Sequence, residues 1–395
     1  MNATVKWIVV NTCRLLVGAT FVFSGIVKLI DPHGTEYRLI DYAVALSLDA
    51  LTAHPLPIVA AIVLAVTEFC LGIYLIFGIR RRLTTRLIMA LMLVFTPLTL
   101  WLAMTDAVAD CGCFGDALHL TNWQTFAKNA VLMAMAVVLL YTRRWQTRLI
   151  SEAAQWLISL YSILYSIGVA LFSLWAEPII DFRPFYVGQD IAQAMQWPDD
   201  PEQVPEILDF TIEPVAGLDT TDAVPPAIDE ILADTGYTFL LIAPYLNRAN
   251  DAQMDKINDI ADFARANNHR FLCLTASPAT VVRRWRELTG AEYDFAFADE
   301  LTLKTIVRSN PGLLVLRGSR IVDKRSDAML EGFLEPQATP FHQRYDNIVP
   351  HDEAQSQSIT ALCLAYILPP LLLTVVDRIV AAVRWWWRRR RASRR

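Results

Sequence analysis

Apolar and polar positions fall in long blocks along this chain. A bilayer-crossing helix needs roughly 20 apolar residues, and six runs approach or meet that length: about 7–30, 56–79, 83–104, 126–141, 154–175 and 358–380. The fourth is short and extends toward Trp123 if it spans. Pro97 is predicted to kink the third near its outer boundary. Between the fifth and sixth runs the pattern changes. "YTFLLIAP" (237–244) and "HRFLCLTAS" (269–277) are short apolar runs bounded by turn signals, as buried strands are. Asn250 is placed to cap a helix whose face is Met254, Ile257, Ala261 and Ala264. Ser277 and Pro278 open a second helix through Val281, Val282, Trp285 and Leu288, and Gly290 ends it. "LLVLRGSRIVDKR" (313–325) is predicted to be a hairpin turning at Gly318-Ser319, with Pro311 just ahead of it.

These patterns divide the chain into a four-helix membrane domain (1–150), a fifth transmembrane helix (151–180), a lead-in (181–235), an α/β domain (236–335), a linker (336–357), and a sixth transmembrane helix with a basic tail (358–395). The lead-in carries thirteen Asp/Glu, one Arg and seven Pro, and is expected to be extended with little core of its own. The fold class expected is an α-helical membrane bundle of six transmembrane helices plus an extracytoplasmic α/β domain.

Composition agrees with the blocks. Hydrophobic residues make up 54% of the chain, and the net charge of −5 argues against a nucleic-acid partner. No secretory cleavage site follows the first run, so it is read as a retained span. Basic residues cluster at Lys6, "RRRLTTR" (80–86), "TRRWQTR" (142–148) and "RWWWRRRRASRR" (384–395), all on one side of a regularly weaving chain. Loops 31–55 and 105–125 carry one arginine between them, Arg38. The positive-inside rule then places both termini in the cytoplasm of a bacterial inner membrane, and residues from about 180 to 355 outside it. The bilayer is one partner, and the terminal arginines with the tryptophans at 385–387 anchor the topology.

Ionisable residues within the spans narrow the picture. Arg14, Gly18, Phe21, Gly25 and Lys28 lie on one face of the first span, and Ala61, Ala65, Glu68 and Gly72 on one face of the second. A charge at such depth costs about 2.5–3.5 kcal/mol on insertion scales unless it is paired. Arg14 is expected to pair with Glu68 across antiparallel helices held close by small residues, while Lys28 snorkels outward. The pair serves either bundle register or a proton or ligand pathway.

The chemistry centres on "AVADCGCFGDALHL" (107–120). Cys111 and Cys113, one residue apart on the outward face, stand in an oxidising compartment if the orientation is right. Cα atoms in a disulfide lie ~4.4–6.8 Å apart, which residues i and i+2 meet only in a sharp turn, and Gly112 gives the backbone that freedom. A disulfide closing so small a loop removes little chain entropy, so the spacing favours exchange over stapling. Asp110 and Asp116 work against a reactive thiolate by adding negative charge. Three readings stand: redox-active cysteines, structural cysteines, and a zinc site of two thiolates and two carboxylates. No histidine pair supports the last, His119 being alone, and no metal is assigned. Cys13, Cys70 and Cys363 lie in spans and Cys273 in a strand, as small apolar residues do.

"RLLVGATFVFSGIVKLIDP" (14–32), the glutamate of "AVTEFCLGIYLIFG" (65–78) and "DCGCFGD" before a fourth span together resemble the DoxX/MauE group of four-helix membrane proteins over about residues 7–141. The resemblance implies a redox-associated membrane component concerned with disulfide formation or with electron delivery to an extracytoplasmic redox or client protein. It admits a quinone as acceptor, although no residue names a cofactor. The chain lacks the two cysteine pairs of quinone-linked disulfide-generating bundles. Its outer βαβα-hairpin order is similar to the thioredoxin fold over about 237–330, with Pro311 in place of that family's partner-facing proline. "APYLNRAN" (243–250) stands where thioredoxins carry WCxxC, so this domain has no dithiol of its own. The function expected is thiol–disulfide exchange at Cys111 and Cys113. The alternative is a non-enzymatic membrane scaffold whose outer domain binds a partner.

Overall fold

The computed structural model describes residues 2–108, 111–200, 204–218, 225–335 and 340–392. In chain order the helices begin with α1 (Ala3–Ile30), α2 (Pro32–Ala45), α3 (Leu56–Phe77), α4 (Arg81–Thr105), α5 (Asn122–Tyr141) and α6 (Gln155–Trp175). Then come α7 (Ile191–Ala194), β1 (Glu213–Pro214), α8 (Ile228–Ala233), β2 (Tyr237–Ile242), α9 (Met254–Ala266), β3 (Arg270–Thr275), α10 (Ala279–Thr289), β4 (Asp294–Phe297), α11 (Glu300–Ile306), β5 (Gly312–Arg317) and β6 (Arg320–Ser326). A 42-residue helix, α12 (His351–Ala392), follows. The chain divides into two compact units, one of Met1–Ser173 with Thr360–Arg395 and the other of Leu174–Ile359.

Among the described residues six helices, α1, α3, α4, α5, α6 and α12, are long and apolar enough to cross a bilayer, so this is a multi-pass membrane protein. Glycine sets the closeness of α1 and α3. A Cβ on Gly25 would lie 2.4 Å from the Phe69 backbone nitrogen, and one on Gly72 would lie 2.7 Å from the Gly18 carbonyl. Around that contact Val17, Phe21, Leu71, Leu75, Met92, Leu132 and Ala136 form the common core of α1, α3, α4 and α5. Pro97 lies inside α4, which runs on through it.

Helices α6 and α12 meet through tyrosines. Tyr165 stacks on Phe69 of α3, and Tyr366 meets the same ring edge-on. Pro369 and Pro370 interrupt the hydrogen-bond ladder of α12 and free the carbonyls four residues back. Tyr161 of α6 donates to one of them, Ala365 O, at 2.5 Å. The span extends well past the expected 358–380 because helix formation continues into the flanking polar residues.

The second unit is built on a six-stranded mixed sheet of order β1-β4-β3-β2-β5-β6. Strands β2, β3 and β4 run parallel, β5 runs antiparallel to β2, and β6 antiparallel to β5. Apolar clusters cover both faces. One joins Phe239, Leu241 and Cys273 to α9 and α10, and the other joins Leu240, Leu272 and Leu314 to α8 and α11. The hairpin turns at Gly318 (φ +62°), and Gly290 ends α10 in the left-handed region at φ +67°.

Three expectations differ from this unit. The lead-in is not coreless: Phe185, Ile191, Ile207, Phe210, Ile231 and Leu232 are buried in the second cluster, because its prolines and acids leave enough apolar residues between them to cover one sheet face. Asn250 does not cap α9, which begins at Met254. Its side chain instead donates to Asp327 at 2.5 Å and accepts from the Ala252 amide. Leu288 is 72% exposed, lying beyond the buried stripe of Val282 and Trp285.

Candidate functional site: a clamped CGC turn on the membrane unit

Helix α2 falls within a segment read from sequence only as loop 31–55, yet it supplies part of the site. Asp31 caps it by accepting from the Gly34 amide, and Pro32 opens its first turn. That Asp-Pro start was the signal available in the sequence. Thr121 and Gln124 form a reciprocal capping box that opens α5 at Asn122, ahead of the expected start.

Between α4 and α5 the CGC turn carries Cys111 and Cys113 as a bonded pair, with Cα atoms 5.5 Å apart. Gly112 sits at φ +63°, and a Cβ there would lie 2.8 Å from Cγ of Arg38 on α2. Both the backbone conformation and the space therefore disfavour a side chain. Cys111 is 6% exposed and packs with Leu102 and Val108, whereas Cys113 is half-buried. Asp116 lies half-buried in the short helical turn Gly115–Ala117. Asp110 lies outside the described residues. His119 is exposed on the chain beyond.

Side chains from neighbouring helices hold both cysteine carbonyls. The Tyr42 hydroxyl on α2 donates to Cys111 O at 2.5 Å. Lys28 Nζ on α1 donates to Cys113 O at 2.8 Å, to Glu68 Oε2 on α3 at 2.8 Å and to Ser24 Oγ at 2.6 Å. Ser24 Oγ lies 2.7 Å from both the Glu68 carboxylate and Cys113 O. Lys28 and Glu68 are both about 6% exposed at their side chains, and three acceptors satisfy the ammonium.

The expected Arg14–Glu68 pair is corrected here: Glu68 pairs with Lys28, which is buried and does not snorkel. Arg14, buried on the same face of α1, donates to the Thr147 carbonyl. The helix contact explains the exchange of partners. Gly25 faces Phe69 and Gly18 faces Gly72, so Glu68 stands opposite the last turns of α1, more than two turns beyond Arg14. Tyr42 and Ser24 were missed altogether, since neither residue type nor spacing marks a hydroxyl aimed at a loop carbonyl.

Beneath the turn a cavity of about 100 Å³ is lined mainly by apolar groups, with Phe21, Lys28, Glu68, Met92, Cys111 and Cys113 in its wall. The Lys128 ammonium lies 3.9 Å from the centre of the Phe114 ring, beside the turn. Among the described residues no group of three His, Cys, Asp or Glu side chains is placed to hold a metal ion.

The other candidate, Pro311, lies in the second unit at the start of β5, after a cis peptide. The residues around it already bond within the unit. Arg308 and Ser309 amides donate to the Glu177 carboxylate at 3.0 and 3.1 Å, and the Asn250 amide donates to Asn310 O at 2.8 Å. Burial pushes the Cys273 thiol pKa upward, away from thiolate formation.

A helical membrane bundle with a cysteine pair clamped at the end of two spans defines the class of this unit. The model of the MauE family, methylamine utilisation protein MauE, matches residues 6–142, so the membrane part from α1 to α5 is MauE-like. No curated protein matches the chain. No solved structure matches it.

Proposed function

We propose that the protein is a redox component of a bacterial inner membrane that performs thiol–disulfide exchange with extracytoplasmic proteins at Cys111 and Cys113. The MauE likeness points to a membrane protein of a redox or electron-transfer system. The observation that carries the finer reading is the difference in exposure between the two bonded sulfur residues. A client thiolate attacks the half-buried Cys113, and Cys111 leaves as a thiolate. The client's second thiolate then attacks its own sulfur in the mixed disulfide and releases Cys113. The client is oxidised by two electrons, and the Cys111/Cys113 pair is reduced by the same two and protonated. Gly112 permits the turn, and Asp110 and Asp116 restrain thiolate reactivity.

Resetting the pair needs a two-electron acceptor. The largely apolar cavity, with both cysteines, Lys28 and Glu68 in its wall, fits an apolar quinone ring, which supplies an electron-pair sink when bound. Loop charge supports cytoplasmic termini and an outward CGC turn. The order β3-β2-β5-β6, with β5 opposed to its neighbours, supports a thioredoxin-like outer domain in which Pro311 faces a partner.

The test is a Cys111→Ser variant. Its lone Cys113 thiolate attacks the disulfide of an oxidised client in the reverse exchange, releasing one client thiol and leaving the client on Cys113 as a mixed disulfide that reductant releases; recovery of none overturns the reading. One observation favours the scaffold alternative: no cysteine stands at 243–250 in the outer unit. Full function in cells carrying alanine at both 111 and 113 would select that alternative.

A further inference from the structure

The geometry points to Tyr42, Ser24 and Lys28 as positioning residues that set the equilibrium between the bonded and open forms of Cys111 and Cys113. This rests on the exchange reading and adds to it the residues that tune the pair. The clamp grips the loop by its carbonyls and not by its sulfurs. Tyr42 holds Cys111 O from α2, while Ser24 and Lys28 hold Cys113 O from α1. Opening the S–S bond breaks none of these contacts. Lys28 is fixed in turn by Glu68 on α3, so three helices fix the frame of the turn.

In a free Cys-Gly-Cys segment the reduced chain spreads over many backbone conformations, with Gly112 the most permissive residue in it. Closing the bond then requires that freedom to be lost. In the clamped loop the two cysteines are already ordered when reduced. One thiol therefore stands at a high effective concentration next to the other, which favours the bonded form. With glutathione the balance is explicit. Two glutathione thiols reduce the protein disulfide to two thiols and become one glutathione disulfide, with two electrons and two protons transferred. The equilibrium constant of that reaction reads the clamp.

Tyr42→Phe removes one hydroxyl and leaves the ring in place. The full chain is equilibrated in lipid nanodiscs over a series of glutathione ratios, quenched with acid, and counted for free thiols with a mass-tagged maleimide. The constant for forming the protein disulfide should fall about three- to tenfold in Tyr42→Phe, the range of one hydrogen bond's net contribution. It should fall in the same direction in Ser24→Ala. Tyr161→Phe, which loses a comparable hydroxyl–carbonyl bond between α6 and α12, should keep the wild-type constant. Wild-type constants in both Tyr42→Phe and Ser24→Ala overturn the inference and leave the exchange reading intact. An equal shift in Tyr161→Phe also overturns it, because general loosening of the bundle then accounts for the change. A wild-type pair that equilibrates at no glutathione ratio overturns the exchange reading and the clamp with it.

Discussion

Lys28 in the membrane unit and Lys324 in the second unit are both buried against a carboxylate, yet the two pairs hold different things. Lys28 pairs with Glu68 and spends a further proton on the carbonyl of Cys113. Lys324 on β6 pairs with Asp181 and donates to the Phe185 carbonyl at 3.0 Å, while Arg183 closes the cluster onto Asp181 and Glu177. Burial by itself would raise the pKa of Asp181, but Lys324 and Arg183 outweigh it and hold the carboxyl below its usual range. The first pair fixes the turn that carries the bonded cysteines. The second fastens the start of the lead-in to the sheet. A buried ion pair is therefore a poor guide to function on its own, and its third partner is the informative one.

Single substitutions break or sharpen that contrast. Replacing Cys113 by alanine should abolish exchange altogether, measured as loss of glutathione-dependent change in thiol count, while the bundle stays folded in detergent. Lys324→Met should lower the stability of the second unit, by at most about 3–5 kcal/mol because Arg183 stays paired with the buried Asp181, read from urea unfolding followed by protease susceptibility. Exchange at the CGC turn should survive it, whereas Lys28→Met should impair both stability and exchange. If Lys324→Met stops exchange as well, the contrast fails.

The same pair predicts a pH dependence. Because the folded pKa of Asp181 lies below its unfolded value, its contribution is fully present above the unfolded carboxylate range. It is lost as pH falls through the folded value, and this acid limb should flatten in Asp181→Asn. The packing of α1 on α3 is tested by Gly25→Ala. The added methyl meets the Phe69 backbone and should cost about 1–3 kcal/mol, seen as a lower midpoint of thermal inactivation in detergent. The smallest effect belongs to Glu300→Gln. Its carboxylate accepts from Lys304 at 2.5 Å but is 46% exposed, so its loss should change stability by less than about 1 kcal/mol.

The bundle was legible because a span announces itself by length: the six apolar runs correspond to six helices, with ends displaced where polar residues continue a helix. The faces of α1 and α3 were legible from spacing, and Arg14, Gly18, Phe21, Gly25 and Lys28 are all buried. The partner of Glu68 was not, since spacing along one helix says nothing of the axial offset between two. That offset is set by which backbone atoms the glycines admit. The two cysteines were conspicuous, but their supports were not, because a carbonyl acceptor leaves no mark on the residue that bears it. In the second unit the continuous apolar strands were readable, whereas β1 and β4 were missed. At two and four residues, they are too short to show a period.

The tyrosine on α6 that serves the carbonyl freed by Pro369 has a consequence for biogenesis. The sixth hydrophobic segment leaves the ribosome with a broken hydrogen-bond ladder that lipid cannot mend. Its remedy was synthesised 204 residues earlier. Insertion of this sixth helix is thereby conditional on a waiting neighbour, and a chain whose fifth span is replaced by plain polyleucine should leave α12 uninserted.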